Sequence, residues 1–177
     1  MRIAEIVMAT AVSLLITEHA FCADEPRLEK NDERAALNLM QGKTAPPLTV
    51  KNWINSKPLK LEELKGKIVV LEFWATWCTT CLASVPHHND LAKKYAGNGV
   101  ILIGICDQEG SEKMPAAAKR FGIQYPIAAD IDDATFKAYK SDSTPDYYLI
   151  DRKGNLRWAD IETDDLEKGI ELLIHEK

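Results

Sequence analysis

Two cysteines three positions apart, Cys78 and Cys81, stand in the run Trp74-Ala75-Thr76-Trp77-Cys78-Thr79-Thr80-Cys81. The residues before the pair read as a buried strand and those after it as a helix. A cysteine in the first turn of a helix meets unpaired backbone N–H groups and the positive end of the helix dipole, which stabilise its thiolate. A second cysteine three residues on lies on the same side of that helix and can close a disulfide. The pattern predicts a redox pair in which an exposed Cys78 attacks and a sheltered Cys81 resolves the mixed disulfide. The bland alternative is a fixed disulfide or half of a zinc site. The sequence carries no second Cys pair or Cys/His cluster to complete a tetrahedral site, so no metal and no cofactor is expected.

The charge of the chain narrows its partners. Its 177 residues carry 22 Lys and Arg against 27 Asp and Glu, a net charge of −5. Without clustered basic residues, a nucleic-acid or anionic-membrane surface is excluded. The length suits one domain with short extensions. Residues 1–22 differ from the rest: Arg2 is followed by an apolar run over 6–16, and small residues Ala20 and Cys22 precede Ala23. This reads as a secretory signal peptide, with an uncleaved membrane anchor as the rival. Lipidation at Cys22 is disfavoured by the bulky Phe21 before it. Export places the chain in the periplasm or on the extracytoplasmic side of a membrane, free or anchored, where a closely spaced Cys pair suits redox work. The expected division is 1–22 leader, 23–42 linker and short helix, and 43–177 a single domain.

The pair must be held by the elements around it. A helix is expected over 34–40, then a break at Pro46-Pro47. Strands over 48–53 and 59–61, joined by Asn55-Ser56-Lys57-Pro58, suit a small hairpin. One helical turn over 62–65 ends at Gly66. Residues 68–74 are apolar except at Glu72, as in a strand buried on both faces. Beyond the cysteines come a helix over 81–95, a buried strand over 100–106 and a helix over 111–121 capped by Ser111. An extended piece over 125–129 and a short helix over 132–139 follow. Strands over 146–150 and 155–159 flank the turn Asp151-Arg152-Lys153-Gly154, and a helix over 163–175 capped by Thr163 closes the chain. The order gives an α/β thioredoxin fold: a central mixed β-sheet flanked by helices on both faces, with an N-terminal β-hairpin extension.

Further motifs are Gly42-Lys43-Thr44-Ala45-Pro46, Leu64-Lys65-Gly66-Lys67, Pro86 five residues after Cys81, Ser143-Thr144-Pro145 and Leu149-Ile150-Asp151-Arg152-Lys153-Gly154. With the core over 73–81, they make the chain resemble TlpA/ResA-like thioredoxins, the exported branch of the AhpC/TSA-related redoxins, over about residues 42–173. The resemblance implies an extracytoplasmic thiol–disulfide oxidoreductase that works on protein substrates as a reductant, for instance in a cytochrome c maturation-like role. It also implies a membrane thiol–disulfide electron donor; a monomer is expected. By position Cys78 is the implied nucleophile and Cys81 its resolving partner. Pro145 is the implied cis-proline facing the disulfide, and Thr144 the residue whose backbone pairs with an incoming extended peptide. Trp74 and Trp77 would shield the disulfide and form part of the docking surface.

Glu72 stands six residues before Cys78, where thioredoxins often place an acid beneath the disulfide. A carboxyl in a central strand is expensive to bury in charged form, which suits it to take a proton from Cys81 during release of the mixed disulfide. The alternative is an idle Glu at a partly wet sheet face. Other positions depart from the pattern: Thr79-Thr80 replaces Pro-containing dipeptides, Ser84 stands where ResA-type members carry a Glu, and Asp146 puts a charge beside the binding edge.

Cys106, at the end of an apolar strand, reads as a small buried hydrophobe, with a third redox thiol as its rival. His87 and His88 read as surface or helix-packing residues, and Trp53 and Trp158 as packing residues. Two other functions compete. A peroxiredoxin-like thiol peroxidase would place Thr three residues before the reactive Cys, where this chain has Ala75. A non-catalytic copper(I)-binding module or metallochaperone would use Cys78 and Cys81 as soft ligands.

Overall fold

Residues 68–74, apolar at every position but one, form the central strand of the molecule and are buried throughout. The structure, a computed structural model, describes residues 25–176. The expected leader and Cys22 lie outside the described residues. In chain order the elements are α1 (Arg34–Met40), β1 (Val50–Ile54), β2 (Ile68–Trp74), α2 (Thr79–Tyr95), β3 (Val100–Cys106), α3 (Met114–Phe121), β4 (Ile127–Asp130), α4 (Ala134–Tyr139), β5 (Asp146–Ile150), β6 (Leu156–Ala159) and α5 (Leu166–His175). The strands form one sheet in the order β1-β4-β3-β2-β5-β6. The β2/β3 and β3/β4 pairs are parallel and the others antiparallel, the mixed sheet the element order predicts.

Alternation along the strands divides the core into two layers. Ile68, Val70 and Trp74 of β2 pack with Cys81, Val85 and Leu91 of α2, Met114 of α3, and Leu166, Ile170 and Leu173 of α5. Val69, Leu71 and Phe73 point the other way, into a layer with Leu37 of α1 and Tyr139 of α4. Phe73, Phe136, Tyr139 and Tyr148 stack there at ring-centroid distances of 4.8–5.5 Å. The segment ahead of residue 43 is built into both layers: Leu37 is fully buried in this one, and Leu28, bridged to Ile161, packs against the other. Among the described residues no helix is long and apolar enough to cross a membrane.

The structure departs from expectation at the front and at two helix starts. The N-terminal hairpin does not form: β1 runs antiparallel to β4, and the segment expected to return beside it leads into a 3-10 turn, Leu61–Leu64. The reason is local. Asn55, at φ 65°, donates from Nδ2 to the carbonyls of Ile123 at 2.8 Å and Tyr125 at 3.0 Å, tying the end of β1 to the segment before β4. Pro58 has no N–H to give to a ladder. Neither Ser111 nor Thr163 caps a helix, because each opens a 3-10 turn. α3 starts instead with Pro115 in its first turn, and Asp165 ahead of α5 is engaged by Arg27.

Candidate functional site

The end of β2 is fixed before the cysteines begin. The Asp107 amide donates to the Trp74 carbonyl at 2.7 Å, and Cys78 N–H closes a turn onto Ala75 O at 3.1 Å. Gly104 on β3 leaves room for the Trp74 ring: a Cβ there would lie 3.0 Å from both Trp74 Nε1 and an Ile127 methyl. Thr76 Oγ1 donates to Gly110 O at 2.9 Å, an approach so close that a Cβ on Gly110 would meet that oxygen at 2.7 Å. The turn feeds directly into α2, with Cys78 as its N-cap.

Cys78 and Cys81 form a disulfide. Cys78 Sγ accepts the Cys81 N–H at 3.1 Å, and the Thr80 hydroxyl donates to it at 3.3 Å. In the reduced state these donors and the helix N-terminus favour a thiolate at Cys78. Cys78 is not exposed as expected: in the disulfide both cysteines are buried, Cys78 at 5 % and Cys81 at 1 % exposure, packed under the Thr144–Pro145 loop. The residue that stands out into solvent is Trp77, at 57 %.

Opposite the disulfide, Cys78 Sγ lies 3.5 Å from the Thr144 carbonyl oxygen, and the Thr144–Pro145 peptide is cis, as expected. The loop that presents this bond is organised by Asp146. That carboxylate accepts from Ser141 Oγ at 2.7 Å, Ser143 Oγ at 2.5 Å and the Asp142 amide at 3.2 Å. Asp146 is fully buried, so it does not put its charge on the binding edge as the sequence suggested; it turns inward and braces the loop. Burial pushes its carboxyl up, against the serines that pull it down. A cleft of about 770 Å³ lies beside the loop, lined by residues that include Asp107, Glu109, Phe136, Lys140 and Asp142.

Glu72 is 1 % exposed and shares the α2-covered face of β2 with Val70 and Trp74. It is not the idle residue of a wet sheet face. Tyr125 OH donates to Oε2 at 2.8 Å, and His88 Nδ1 stands 3.2 Å from Oε1. His88 Nε2 in turn lies 3.2 Å from Tyr147 OH. Burial first and the Glu72 charge second hold both tyrosines far above the ordinary phenol range, so both stay protonated donors. A lone buried carboxylate costs several kcal/mol, and hydrogen bonds to charged groups return about 1.5–3 kcal/mol each, so these partners decide whether it is tolerated. The sequence reading missed His88, which is 0 % exposed, whereas its neighbour His87 is exposed. The signal was available: residues 81, 85 and 88 fall on one helical stripe, and the other two are buried.

The remaining residues fall into place around this site. Ser84 Oγ returns to Thr80 O at 3.0 Å. Cys106 is a buried free thiol pushed up to about 12 by burial first, which leaves it protonated and a poor nucleophile. Trp158 is buried with Nε1 donating to Glu25 at 2.7 Å, and Trp53 packs at the edge of the second layer. On that second side Glu29, Asp146 and Asp160 bring carboxylate oxygens within 4.8 Å of one another. Burial first and neighbouring carboxylates second raise Glu29 to about 7 and Asp160 to about 6.

Residues 41–159 match the AhpC/TSA family. Over 123 residues the chain is 37% identical to Protein DipZ of Mycobacterium bovis, covering 64% of this chain but only 18% of that protein. It is 33% identical to the thiol-disulfide oxidoreductase ResA of Bacillus thuringiensis over 115 residues, 65% of this chain and 66% of that one. The chain therefore spans less than two thirds of the length of either relative. The crystal structure of a thiol-disulfide isomerase from Corynebacterium glutamicum superposes with a TM-score of 0.65 at 28% identity, covering 75% of this chain and 98% of that one. The fold is thioredoxin-like.

Proposed function

The chain belongs to the AhpC/TSA family, and on that footing we propose that it is a thiol–disulfide oxidoreductase exchanging the Cys78/Cys81 dithiol and disulfide with protein substrates. The observation that carries the reading is the Cys78–Cys81 disulfide at the start of α2, facing the Thr144–Pro145 bond. As a reductant, the Cys78 thiolate attacks a substrate disulfide, one substrate sulfur leaves as a thiolate, and a mixed disulfide forms. An extended substrate segment pairs with the backbone at Thr144 while Trp77 covers its flank. Glu72 then takes the Cys81 proton, and the Cys81 thiolate attacks Cys78 Sγ. The bond to the substrate breaks, its electron pair leaves with the second substrate sulfur, and the Cys78–Cys81 disulfide is restored.

The compartment is extracytoplasmic, the working form a monomer, and a membrane thiol–disulfide donor returns the disulfide to the dithiol. The likeness to ResA, a thiol-disulfide oxidoreductase, supports the exchange activity; the setting follows from the exported family the sequence resembles. Trapping tests the roles of the two cysteines. Incubated with a disulfide-bonded protein, Cys81→Ser accumulates a covalent adduct through Cys78 that dithiothreitol releases, and Cys78→Ser forms none. Adducts formed equally well by both variants, or by neither, would remove the assignment.

A further inference from the structure

A buried polar chain runs through Glu72, and its other members, His88, Tyr125 and Tyr147, have no part in the exchange reaction itself. Glu72 and His88 are both sealed from solvent, on β2 and α2 respectively, with Tyr125 ahead of β4 and Tyr147 on β5 completing the group. The rings of Tyr125 and Tyr147 stand edge-on to His88 at 6.0 and 5.5 Å, and the exposed His87 lies at 5.9 Å on the same helix. The remaining neighbours from α5 in this layer, Leu166, Ile170 and Leu173, are apolar. His88 Nδ1 is 3.2 Å from Glu72 Oε1 but off the hydrogen-bond line, and it has no other polar partner. A buried histidine nitrogen in that position has one group to answer to, the carboxyl.

We propose that His88 is the positioning residue for Glu72: it steadies the carboxylate and shares the proton that Glu72 removes from Cys81. The inference rests on the reading of Glu72 as the base for Cys81. The bonding has two self-consistent arrangements. Before transfer, Tyr147 OH donates to Nε2, so the neutral ring carries its proton on Nδ1 and turns it to the Glu72 carboxylate, whose other oxygen takes the Tyr125 hydroxyl. After transfer, the pair holds one more proton, as carboxylic acid and neutral imidazole or as carboxylate and imidazolium, uncharged overall in both. Because Nδ1–H already fills the contact with Oε1, the added proton lies on Nε2 or Oε2, and the tyrosine hydrogen bond at that atom, from Tyr147 or Tyr125, reverses. The chain thus carries one negative charge when Glu72 is a base and none when it has taken the proton. The second state is matched by reversing one tyrosine hydrogen bond, so the added proton need not leave a buried charge uncompensated. When the proton leaves for the departing substrate thiolate or for water, the first arrangement returns.

The test isolates the Cys81 step. The full chain is reduced and treated with an aromatic disulfide so that Cys78 carries 5-thio-2-nitrobenzoate, and release of that thiol by Cys81 is followed from pH 5 to 9. Glu72→Gln is expected to slow release by about 100-fold, the scale of a general base. His88→Phe is expected to slow it on the order of 10-fold, as loss of an outer-shell partner does, and to move the midpoint of the pH profile. The double variant is expected to be no slower than Glu72→Gln, because His88 acts through Glu72. His88→Gln, which retains an N–H donor, is expected to recover most of the rate at pH 8 but not the midpoint. Should His88→Phe fail to fold, the ring nitrogens of His88 in the unaltered protein report directly. Their chemical shifts are expected to show the Nδ1–H tautomer, and the Nδ1 signal to move in Glu72→Gln, where an amide replaces the carboxylate. Normal rate and profile in His88→Phe, or an unperturbed ring in Glu72→Gln, would overturn the role of His88 alone. Normal release by Glu72→Gln would overturn the reading of Glu72 on which it stands.

Discussion

Strand β5 separates a lone buried acid from a cluster of three, and the fold treats the two sides in opposite ways. Tyr147 faces α2, where a single carboxyl, Glu72, meets the Tyr125 hydroxyl at 2.8 Å and the His88 ring at 3.2 Å, and the Tyr147 hydroxyl meets the far side of that ring at 3.2 Å. Asp146 and Tyr148 face the other side, where Asp146 meets Glu29 and Asp160 within 4.8 Å. There the donors are unevenly shared: Asp146 takes the serines, Asp160 accepts one Asn31 amide at 2.6 Å with Arg34 at 3.8 Å, and Tyr148 OH and Asp160 Oδ1 are left without partners. The first arrangement can gain and lose a proton by reversing a single tyrosine hydrogen bond. In the second, burial first and neighbouring carboxylates second push Glu29 and Asp160 up. A buried carboxyl therefore points to chemistry or to loop bracing according to what surrounds it, and the same strand supplies both surroundings.

The sharpest way to break the contrast is to neutralise one acid from each side. Glu72→Gln should cut the rate of mixed-disulfide release by about 100-fold while the protein stays folded by circular dichroism; a loss of fold with no change in rate per folded molecule would assign Glu72 to stability. Asp146→Ala should do the reverse. Stranding the loop donors should cost about 1–3 kcal/mol in denaturant unfolding, and KM for a protein disulfide should rise more than kcat falls. An unchanged KM would detach Asp146 from substrate docking.

The acid group predicts a pH dependence of stability. Glu29, raised from 4.5 to about 7, and Asp160, raised from 3.8 to about 6, keep protons in the folded chain that the unfolded chain releases. Between about pH 4 and 7 the folded state binds more protons, so stability should fall as pH rises through that window. Asp160→Asn should flatten the slope, and a profile rising from pH 4 to 7 would refute the assignment. Asp165, lowered by its hydrogen bonds to Arg27, and Glu167, lowered by Lys94, act in the opposite sense, but their contribution is lost only at more acidic pH. The smallest effect belongs to Cys106→Ala, expected to cost about 1 kcal/mol and to leave thiol exchange unchanged. Slowed exchange would revive Cys106 as a redox thiol.

Much of this arrangement was legible in the residues. The apolar run over 68–74 and the cysteines at its end placed a strand, a turn and a helix start, because burial and helix-terminus chemistry act over a few residues. Pro145 and Glu72 were legible only through family resemblance, since nothing local distinguishes a cis-proline from a turn proline. What escaped the sequence reading depends on contacts distant in the chain. His88 finds Glu72 across 16 positions and Tyr147 across 59, so a histidine on a helix gave no sign of its partners. Asp146 looked like surface charge because Ser141 and Ser143, which turn it inward, act through a loop whose shape was not written in periodicity. The front hairpin failed because Asn55 binds carbonyls 68 and 70 residues away.

The most direct test of the account is equilibration of the protein in defined thiol buffers, with the state of Cys78 and Cys81 read by thiol trapping. The account predicts a reversible two-electron transition confined to this pair, with a potential below about −220 mV, in the range of thioredoxin and glutaredoxins. A potential near −120 mV, roughly that of a strong periplasmic oxidant, would contradict the reductant role. A pair that never closes reversibly would contradict the exchange itself and favour a copper(I)-binding module.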